Sequence, residues 1–478
     1  MKAIGPSDML RQLAASGPDR VALVHGDQRL TFAELDARTS AAALALLRAG
    51  LHDGDRVALQ MRTGVDFVLL YLGALRAGLV AVPVDPAYTA PETERLQEDA
   101  GAALHLDEPA AASLLAGAPP GADPQRDRGG EQVAALLFTS GTSGRMKGAM
   151  LTARALLANL DQLASVDPPL LTADDVLFVP LPLTHIFGLN AGLGMALRVG
   201  ARLVLADQFD PGASLAVMAA EQVTAVLGVP GQYAAWLAHP AMAEGFRSVR
   251  FAMSGSATLA RGVVDGFAAA GVTVHDGYGL TEAAPVVAIN ALGAGREQPV
   301  AGAVGRPLPG VEVELRDADG APVDEGDPGR LFVRGANLFS GYWPDGADGP
   351  DQDGWFGTGD IAVADEAGEL HLVGRSTDMV IVNGFNVYPA EVEAVLGADA
   401  RVAEVAVVGV PDPDTGEAVH AYVVPRSGVE LDPAELRTAA ARSLARFKLP
   451  RVIEVVPQLP HTVTGKVMKW QLVTNAAT

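Results

Sequence analysis

No cysteine occurs in the 478 residues, which excludes disulfides, thiolate-held zinc or iron–sulfur clusters, and thiol nucleophiles. A run of about 18 uncharged apolar residues, the minimum for a membrane helix, is also missing. The nearest stretch, Val68–Val84, is broken by Arg76, so no membrane span is expected. The opening MKAIGPSDMLRQLAASGPDR places Asp8 and Arg11 where a secretory signal needs its apolar segment, so no signal peptide is expected. Basic charge is outnumbered, with 35 Lys and Arg against 57 Asp and Glu; the net −22 disfavours nonspecific binding to nucleic acid or an anionic membrane. Lysine itself is rare. Only Lys2, Lys147, Lys448, Lys466 and Lys469 occur, so a lysine inside a glycine-rich motif is informative. What is abundant is apolar: 49% hydrophobic residues and a mean hydropathy of +0.22 do not suit a mainly disordered chain. These bounds describe a cytoplasmic globular protein of roughly two to four folding units.

Hydrophobic patterning gives the fold class. Arg56–Met61 and Leu79–Val84 read as strands on either side of Val65–Ala77, whose apolar spacing predicts a helix. Such apolar strands imply a parallel sheet covered on both faces. Further strand-like runs at Val176–Val179, Ala201–Leu205, Ala225–Val229 and Arg250–Met253 alternate with helical patterns. Ala116–Gly130, rich in Pro, Gly and charge, predicts an exposed, mobile connection. After about Gly302, alternating runs at Val311–Arg316 and Gly329–Arg334 predict a small antiparallel β unit. The last hundred residues carry little net charge, and the turn-rich Gly374–Asp378 precedes them. The expected architecture is α/β: a large N-terminal domain over 1–377, built of parallel-sheet subdomains plus the β unit, and a small mobile α+β domain over 378–478.

Five segments carry chemistry. AALLFTSGTSGRMKG (134–148) ends an apolar strand in Thr139, Ser140, Gly141, Thr142, Ser143 and Gly144, followed by Lys147. Small residues let backbone N–H groups approach a phosphate, hydroxyls add donors, and lysine adds charge. It is not a P-loop, because Met146 stands where that pattern requires glycine. An ordinary Gly/Ser hairpin is the alternative, but it needs one or two such residues rather than six. HDGYGLTE (275–282) offers an aromatic face in Tyr278, a hydroxyl in Thr281 and a carboxylate in Glu282 able to hold Mg²⁺ through oxygen. Alone, it also fits a strand-to-helix turn with Thr281 as cap. WFGTGD (355–360) presents Asp360 as an acceptor for a sugar diol; GRSTDMVIVNGFNVYPAE (374–391) and LPHTVTGKVMK (459–469) complete the set.

In this order and spacing, TSGTSGxxKG, HDGYGLTE, GWFGTGD, GRxxDMVIVNGFNVYPAEVE and LPHTVTGK resemble the AMP-forming adenylating enzymes, a superfamily of acyl- and aryl-CoA synthetases, peptide-synthetase adenylation domains and beetle luciferases. The resemblance covers essentially the whole chain. It implies that Thr139–Lys147 holds the β- and γ-phosphates of ATP. Ser254, Gly255, Ser256, Ala257, Asp276, Gly277, Tyr278 and Gly279 would form the adenine site, with Tyr278 stacking. Thr281 would contact phosphate, Glu282 would hold Mg²⁺, Asp360 would accept the ribose hydroxyls with help from Arg375, and Asp378 would be the hinge between domains. Lys466 would reach the carboxylate and α-phosphate; Lys448 has a familiar position without a clear role. Acyl-AMP formation would be followed by attack of a thiol, from CoA or a carrier protein's phosphopantetheine.

Departures from the family pattern are Met146 for a proline, Ser376 and Thr377 where lysine is frequent, Asn383 for a glycine, and Pro230–Gly231–Gln232 for Pro–Thr. Among branches, LPLTHIFGLN (181–190) lacks the aspartate that would pair with an α-amino group, so an amino acid substrate is not expected. His185 resembles the histidine of acyl- and aryl-CoA synthetases beside the carboxylate; an imidazole packed under a loop is the bland alternative. With Gly188, Gly231 and Val286 nearby, the pocket would be apolar and uncharged. The expected substrate is an aliphatic monocarboxylic acid, with an aromatic acid second and a dicarboxylate disfavoured. Delivery to a carrier protein or an amine, instead of CoA, stays open, as does the oligomeric state.

Overall fold

The computed structural model describes residues 5–140, 146–257, 259–291, 300, 302–375, 378–382, 385–412, 415–462 and 467–476. Its packing divides the chain into two compact units, one of 1–313 with 333–356, the other of 314–332 with 357–478. The first is built on two sheets. A nine-stranded sheet runs in the order Arg306–Pro307, Val286–Ile289, Val274–Gly279, Phe251–Ser254, Ala225–Gly228, Val176–Val179, Arg202–Leu205, Val21–His25, Gln28–Thr31. Its six middle strands are parallel, and antiparallel pairs close both edges. A five-stranded sheet has the order Leu104–Asp107, Arg56–Gln60, Val80–Val84, Val133–Ser140, Met146–Thr152. Its first four strands are parallel and the last pair antiparallel.

Local sequence explains the elements. Val80–Val84 is buried at every position, as a strand covered on both faces must be. The helix Phe32–Arg48 starts at Thr31, whose hydroxyl accepts from the Glu34 N–H while the Glu34 carboxylate accepts from the Thr31 N–H. The helix Val65–Arg76 is apolar nearly all round and buried. Its terminal Arg76, fully buried, donates to Ser7 Oγ, Ser40 Oγ and the Asp36 carboxylate, so the charge is paired and hydrogen-bonded.

The connection 116–130 is irregular, as its composition suggests, but it is tied down. Arg126 N–H donates to the Arg76 carbonyl at 3.1 Å, Asp123 and Asp127 each pair with Arg11 at 2.7 Å, and Arg128 donates to the Gly78 carbonyl at 2.9 Å. The expected mobility is corrected on those contacts.

Val311–Arg316 and Gly329–Gly335 are neighbours in a four-stranded sheet completed by Trp355–Ala364 and Leu370–Arg375. The second unit adds a five-stranded sheet: Phe385–Val387, Val380–Val382, Gly416–Pro425 and Val402–Asp412 in order, with Val452–Val455 paired parallel to Gly416–Pro425. Helices Pro389–Gly397 and Pro433–Ala440 contribute to a core around Val380, Val392, Leu396, Val407, Val423 and Leu436. The α/β class, with a large parallel-sheet unit and a small β-rich one, is as expected. Among the described residues no helix is long and apolar enough to cross a membrane.

Candidate active site

The glycine-rich segment is a β-hairpin. Thr139 lies opposite Lys147 and Ser140 opposite Met146, while Gly141, Thr142, Ser143 and Gly144 at its tip lie outside the described residues. Lys147 Nζ donates to Asp348 Oδ2 at 2.7 Å and sits 5.1 Å from the centre of the Tyr342 ring. Among the described residues, the hairpin therefore places the Lys147 cation opposite Thr139, at the end of the paired strands.

At the carboxyl ends of the parallel strands, Ser254 is level with Asp276. This is where an open α/β sheet binds ligands. Ser254 is fully buried, and its Oγ has no hydrogen-bond partner. Gly255 is buried, whereas Ser256, at φ +71°, and Ala257 are exposed. Burial pushes the Asp276 carboxyl up to about 7, against only the donating Leu259 N–H. The strand holding Asp276 starts at Val274 and runs through Gly279, across the first part of the HDGYGLTE segment that also fitted a strand-to-helix turn. His275–Gly279 is thus sheet rather than turn. Asp276 and Tyr278 share a face by strand alternation, and both are buried. Gly279 permits the close return of the chain: a Cβ there would stand 2.3 Å from the Pro285 carbonyl oxygen.

Thr281 and Glu282 form a single 3₁₀ turn with Ala283, preceded by Leu280, so Thr281 lies inside the turn rather than capping a helix. The turn is held by partners distant in sequence. Phe339 N–H donates to the Glu282 carbonyl at 2.8 Å, Asn337 Nδ2 to Ala283 at 2.8 Å and Asn190 Nδ2 to Ala284 at 2.7 Å. Asn159 both donates to the Val286 carbonyl (2.7 Å) and accepts from its N–H (3.1 Å). Gln162 links Asn159 to Asn337. The buried Glu282 carboxylate accepts the Tyr342 hydroxyl at 2.6 Å.

His185 precedes an unusual π-helix, Phe187–Gly194, that is buried throughout. Its Nδ1 accepts from the Phe187 N–H at 3.3 Å, and burial lowers its pKa, partly offset by Asp85. Gly188 has a packing reason of its own, since a Cβ would stand 2.5 Å from the Pro182 carbonyl oxygen. Gly231, near the start of the helix Pro230–Leu237, faces open space, whereas Val286 is buried in the strand next to the sheet edge.

In the second unit, Asp360 and Arg375 face each other on adjacent antiparallel strands and form an ion pair at 3.2 Å. Asp378 N–H donates to the Arg375 carbonyl at 3.1 Å, within a turn. Lys448 Nζ donates to both carboxylate oxygens of Glu391 at 2.7 Å, and Lys469 pairs with Glu393 at 2.7 Å. Ser376, Thr377, Asn383 and Lys466 lie outside the described residues. Sequence reasoning missed Tyr342, Asp348 and the buried amides. Asn159 and Asn190, polar residues inside apolar runs, carried a signal; Tyr342 and Asp348 carried none.

The profile described as AMP-binding enzyme matches residues 10–343, and that of the AMP-binding enzyme C-terminal domain matches residues 391–466. The chain belongs to the AMP-binding enzyme family. Feruloyl-CoA synthase of an Amycolatopsis species is 36% identical over 478 aligned positions, covering 96% of each protein. The long-chain-fatty-acid–CoA ligase of Yersinia pestis is 33% identical over 97% of this chain and 93% of its own. The ATP-bound crystal structure of MatB from Rhodopseudomonas palustris superposes with a TM-score of 0.91 at 34% identity over 99% of both chains. For this AMP-binding enzyme, no described cluster of three His, Asp or Glu could hold a metal by itself. A Mg²⁺ that takes most of its oxygen ligands from water and substrate phosphates needs no such cluster, since one protein carboxylate suffices.

Proposed function

We propose that this AMP-binding enzyme is an AMP-forming acid–CoA ligase acting on a monocarboxylic acid, aliphatic first and aromatic second. The carrying observation is near-full-length similarity to CoA ligases of chemically different acids, which share the reaction and not the substrate. In the first step a carboxylate oxygen bonds to the α-phosphorus of ATP, the bond to the β-phosphate oxygen breaks, and pyrophosphate leaves. In the second, the CoA sulfur attacks the acyl carbon and AMP leaves. No protein nucleophile is needed, which suits a chain without cysteine.

The residues present fit Mg²⁺–ATP. Ser254 Oγ is buried without a partner, and Asp276 is a buried carboxyl without a cation to offset it, so a bound base gives both something to bond. Lys147 and the Thr139–Gly144 loop would take the terminal phosphates, Thr281 a phosphate oxygen, and Glu282 the Mg²⁺. Bound Mg²⁺ neutralises phosphate charge that would otherwise repel the incoming carboxylate. Asp360, already opposite Arg375, would accept the ribose hydroxyls, and Lys466 would stabilise the charge developing at the α-phosphate. Residues 378–478 would move about Asp378 between the two steps. His185, Gly188, Gly231 and Val286 border the acyl pocket in this reading, and none of them carries a fixed negative charge.

The test is pyrophosphate release across a panel of aliphatic, aromatic and dicarboxylic acids, with and without CoA, with thioester measured in parallel. Acid-dependent pyrophosphate with CoA-dependent thioester is expected. Acyl-AMP accumulation with no thioester from CoA would point instead to a carrier-protein thiol or an amine as acceptor.

A further inference from the structure

Tyr342 stands between two charged groups that reach it from different parts of the first unit. Its hydroxyl donates to Glu282 Oε1 at 2.6 Å, and the face of its ring carries Lys147 Nζ at 5.1 Å from the centroid. The backbone around it is fixed to the hairpin strand that bears Lys147. Trp343 N–H donates to the Gly148 carbonyl at 2.8 Å, Met150 N–H to Gly341 at 3.1 Å, and Ser340 N–H to Met150 at 3.1 Å. A tight turn holds the other side, with Tyr342 N–H donating to Ala347 at 3.0 Å and Gly346 N–H to Tyr342 at 2.8 Å. Gly341 is required there: at φ +92° a Cβ would stand 2.1 Å from the Gly346 carbonyl oxygen. Phe339 packs edge-on against the Tyr342 ring at 5.0 Å, which sets the ring's plane.

We infer that Tyr342 is a positioning residue: its hydroxyl aims the Glu282 carboxylate toward the metal of Mg²⁺–ATP, while its ring sets the stance of Lys147. The inference rests on the adenylation reading, in which Glu282 holds the metal. The backbone of the Glu282 turn is fixed by Phe339, Asn337 and Asn190, but those bonds end at carbonyls and leave the side chain to rotate. The Tyr342 hydroxyl restrains one carboxylate oxygen and leaves Oε2 for another partner. Mg²⁺ demands near-octahedral geometry, so a carboxylate that samples several rotamers loses affinity for it. A hydrogen bond to a charged acceptor is among the stronger ones, and its loss is read as roughly a tenfold change.

The decisive variant is Tyr342→Phe, which keeps the ring, the Phe339 contact and the Lys147 interaction and removes only the hydroxyl. Binding of the non-reacting analogue α,β-methylene-ATP is measured by calorimetry in EDTA and across a Mg²⁺ titration, beside the Mg²⁺ dependence of pyrophosphate release. The Mg²⁺ concentration giving half of the binding enhancement should rise about tenfold. Binding in EDTA and the KM for the acid should be unchanged, a split that a merely structural defect would not give. Tyr342→Leu, which also loses the ring, should weaken analogue binding in EDTA as well, because Lys147 loses the aromatic face it sits on and keeps only its exposed pair with Asp348. An unchanged Mg²⁺ midpoint in Tyr342→Phe, with wild-type protein binding the analogue normally, overturns the positioning role alone. Failure of the wild-type protein to bind the analogue at all overturns the adenylation reading and this inference with it.

Discussion

Asp276→Asn should make the protein more resistant to rising pH. Asp276 is buried, and burial pushes its carboxyl from an ordinary 3.8 up to about 7. The folded state therefore keeps a proton that the unfolded chain has already released. The stability linked to that proton is fully present below about pH 4 and is lost as pH rises through 7. Each unit of pH between those limits removes about 1.4 kcal/mol, so the wild-type protein should lose about 3 kcal/mol between pH 5 and pH 8 from this group alone. Asparagine still offers an oxygen to the Leu259 N–H and carries no ionisable proton, so the variant should lack that slope. The assay is urea unfolding at pH 5, 6, 7 and 8, followed by tryptophan fluorescence. Taking the difference between variant and wild type at each pH cancels all other titrating groups. That difference should grow in favour of Asp276→Asn up to about pH 7 and level off by pH 8. Parallel pH curves for the two proteins would refute the reasoning, because they would mean that Asp276 titrates alike in both states. The proposed adenine site supplies a second check: if the base's amino group donates to Asp276 it favours the charged form, so ATP binding near pH 7 should release protons, measurable by calorimetry in buffers of different ionisation enthalpy.

On the proposed role of Lys147 at the ATP phosphates, its exposed ion pair with Asp348 would compete with them, so Asp348→Asn should lower the KM for ATP by about two- to fivefold at low salt, with the gain fading at high salt; an unchanged KM at low salt would deny that competition. Asn337→Ala leaves the Ala283 carbonyl without a partner and the Gln162 amide with only the longer bond to the Gly310 carbonyl, and a loss of about 2 kcal/mol in chemical denaturation is expected. Asp378→Pro fixes φ and deletes the N–H that reaches Arg375, so conversion of supplied acyl-AMP and CoA to thioester should suffer more than pyrophosphate release; equal loss in both would make Asp378 structural only.

The strands of the parallel sheets were legible where their middles are apolar, as in Arg56–Gln60, or where they are apolar throughout, as in Val80–Val84. Arg56–Gln60, Val65–Arg76 and Val80–Val84 fall within a residue or two of the patterns that announce them. The strand Val274–Gly279 was not, because two glycines and a polar pair interrupt its apolar run. Only the tertiary neighbours Met253 and Pro285, lying against Gly277 and Gly279, show that small residues belong there. The anchoring of 116–130 escaped for a similar reason: turn composition describes the local backbone and says nothing of Arg11 or Arg76. Of the candidate site, the motifs named residues, while the partners that restrain them are long-range. Asn159 meets Val286 across 127 positions, Asn190 meets Ala284 across 94 and Asn337 meets Ala283 across 54.

These two kinds of residue also divide the physical work of the site. The Thr281–Ala284 turn has its carbonyls from Glu282 to Ala284 bonded by three residues of two separate segments, Asn337 and Phe339 from one and Asn190 from the other, so the position of the Glu282 backbone is set before any ligand arrives. The strand ends a few residues away show the opposite condition. Ser254 Oγ is buried and unbonded, and Asp276 is a buried carboxyl pushed up to about 7 by burial with no counter-charge beside it. A folded protein tolerates such groups at a cost of roughly 1–3 kcal/mol each, and a ligand that bonds them recovers it. Rigid support under a charge that must not move, beside polar groups left open, is the arrangement expected of a nucleotide site whose binding energy comes from filling what the fold leaves unsatisfied. It follows that Asp276→Asn and Asn337→Ala should move stability in opposite directions at neutral pH. The first relieves an uncompensated group, whereas the second creates one.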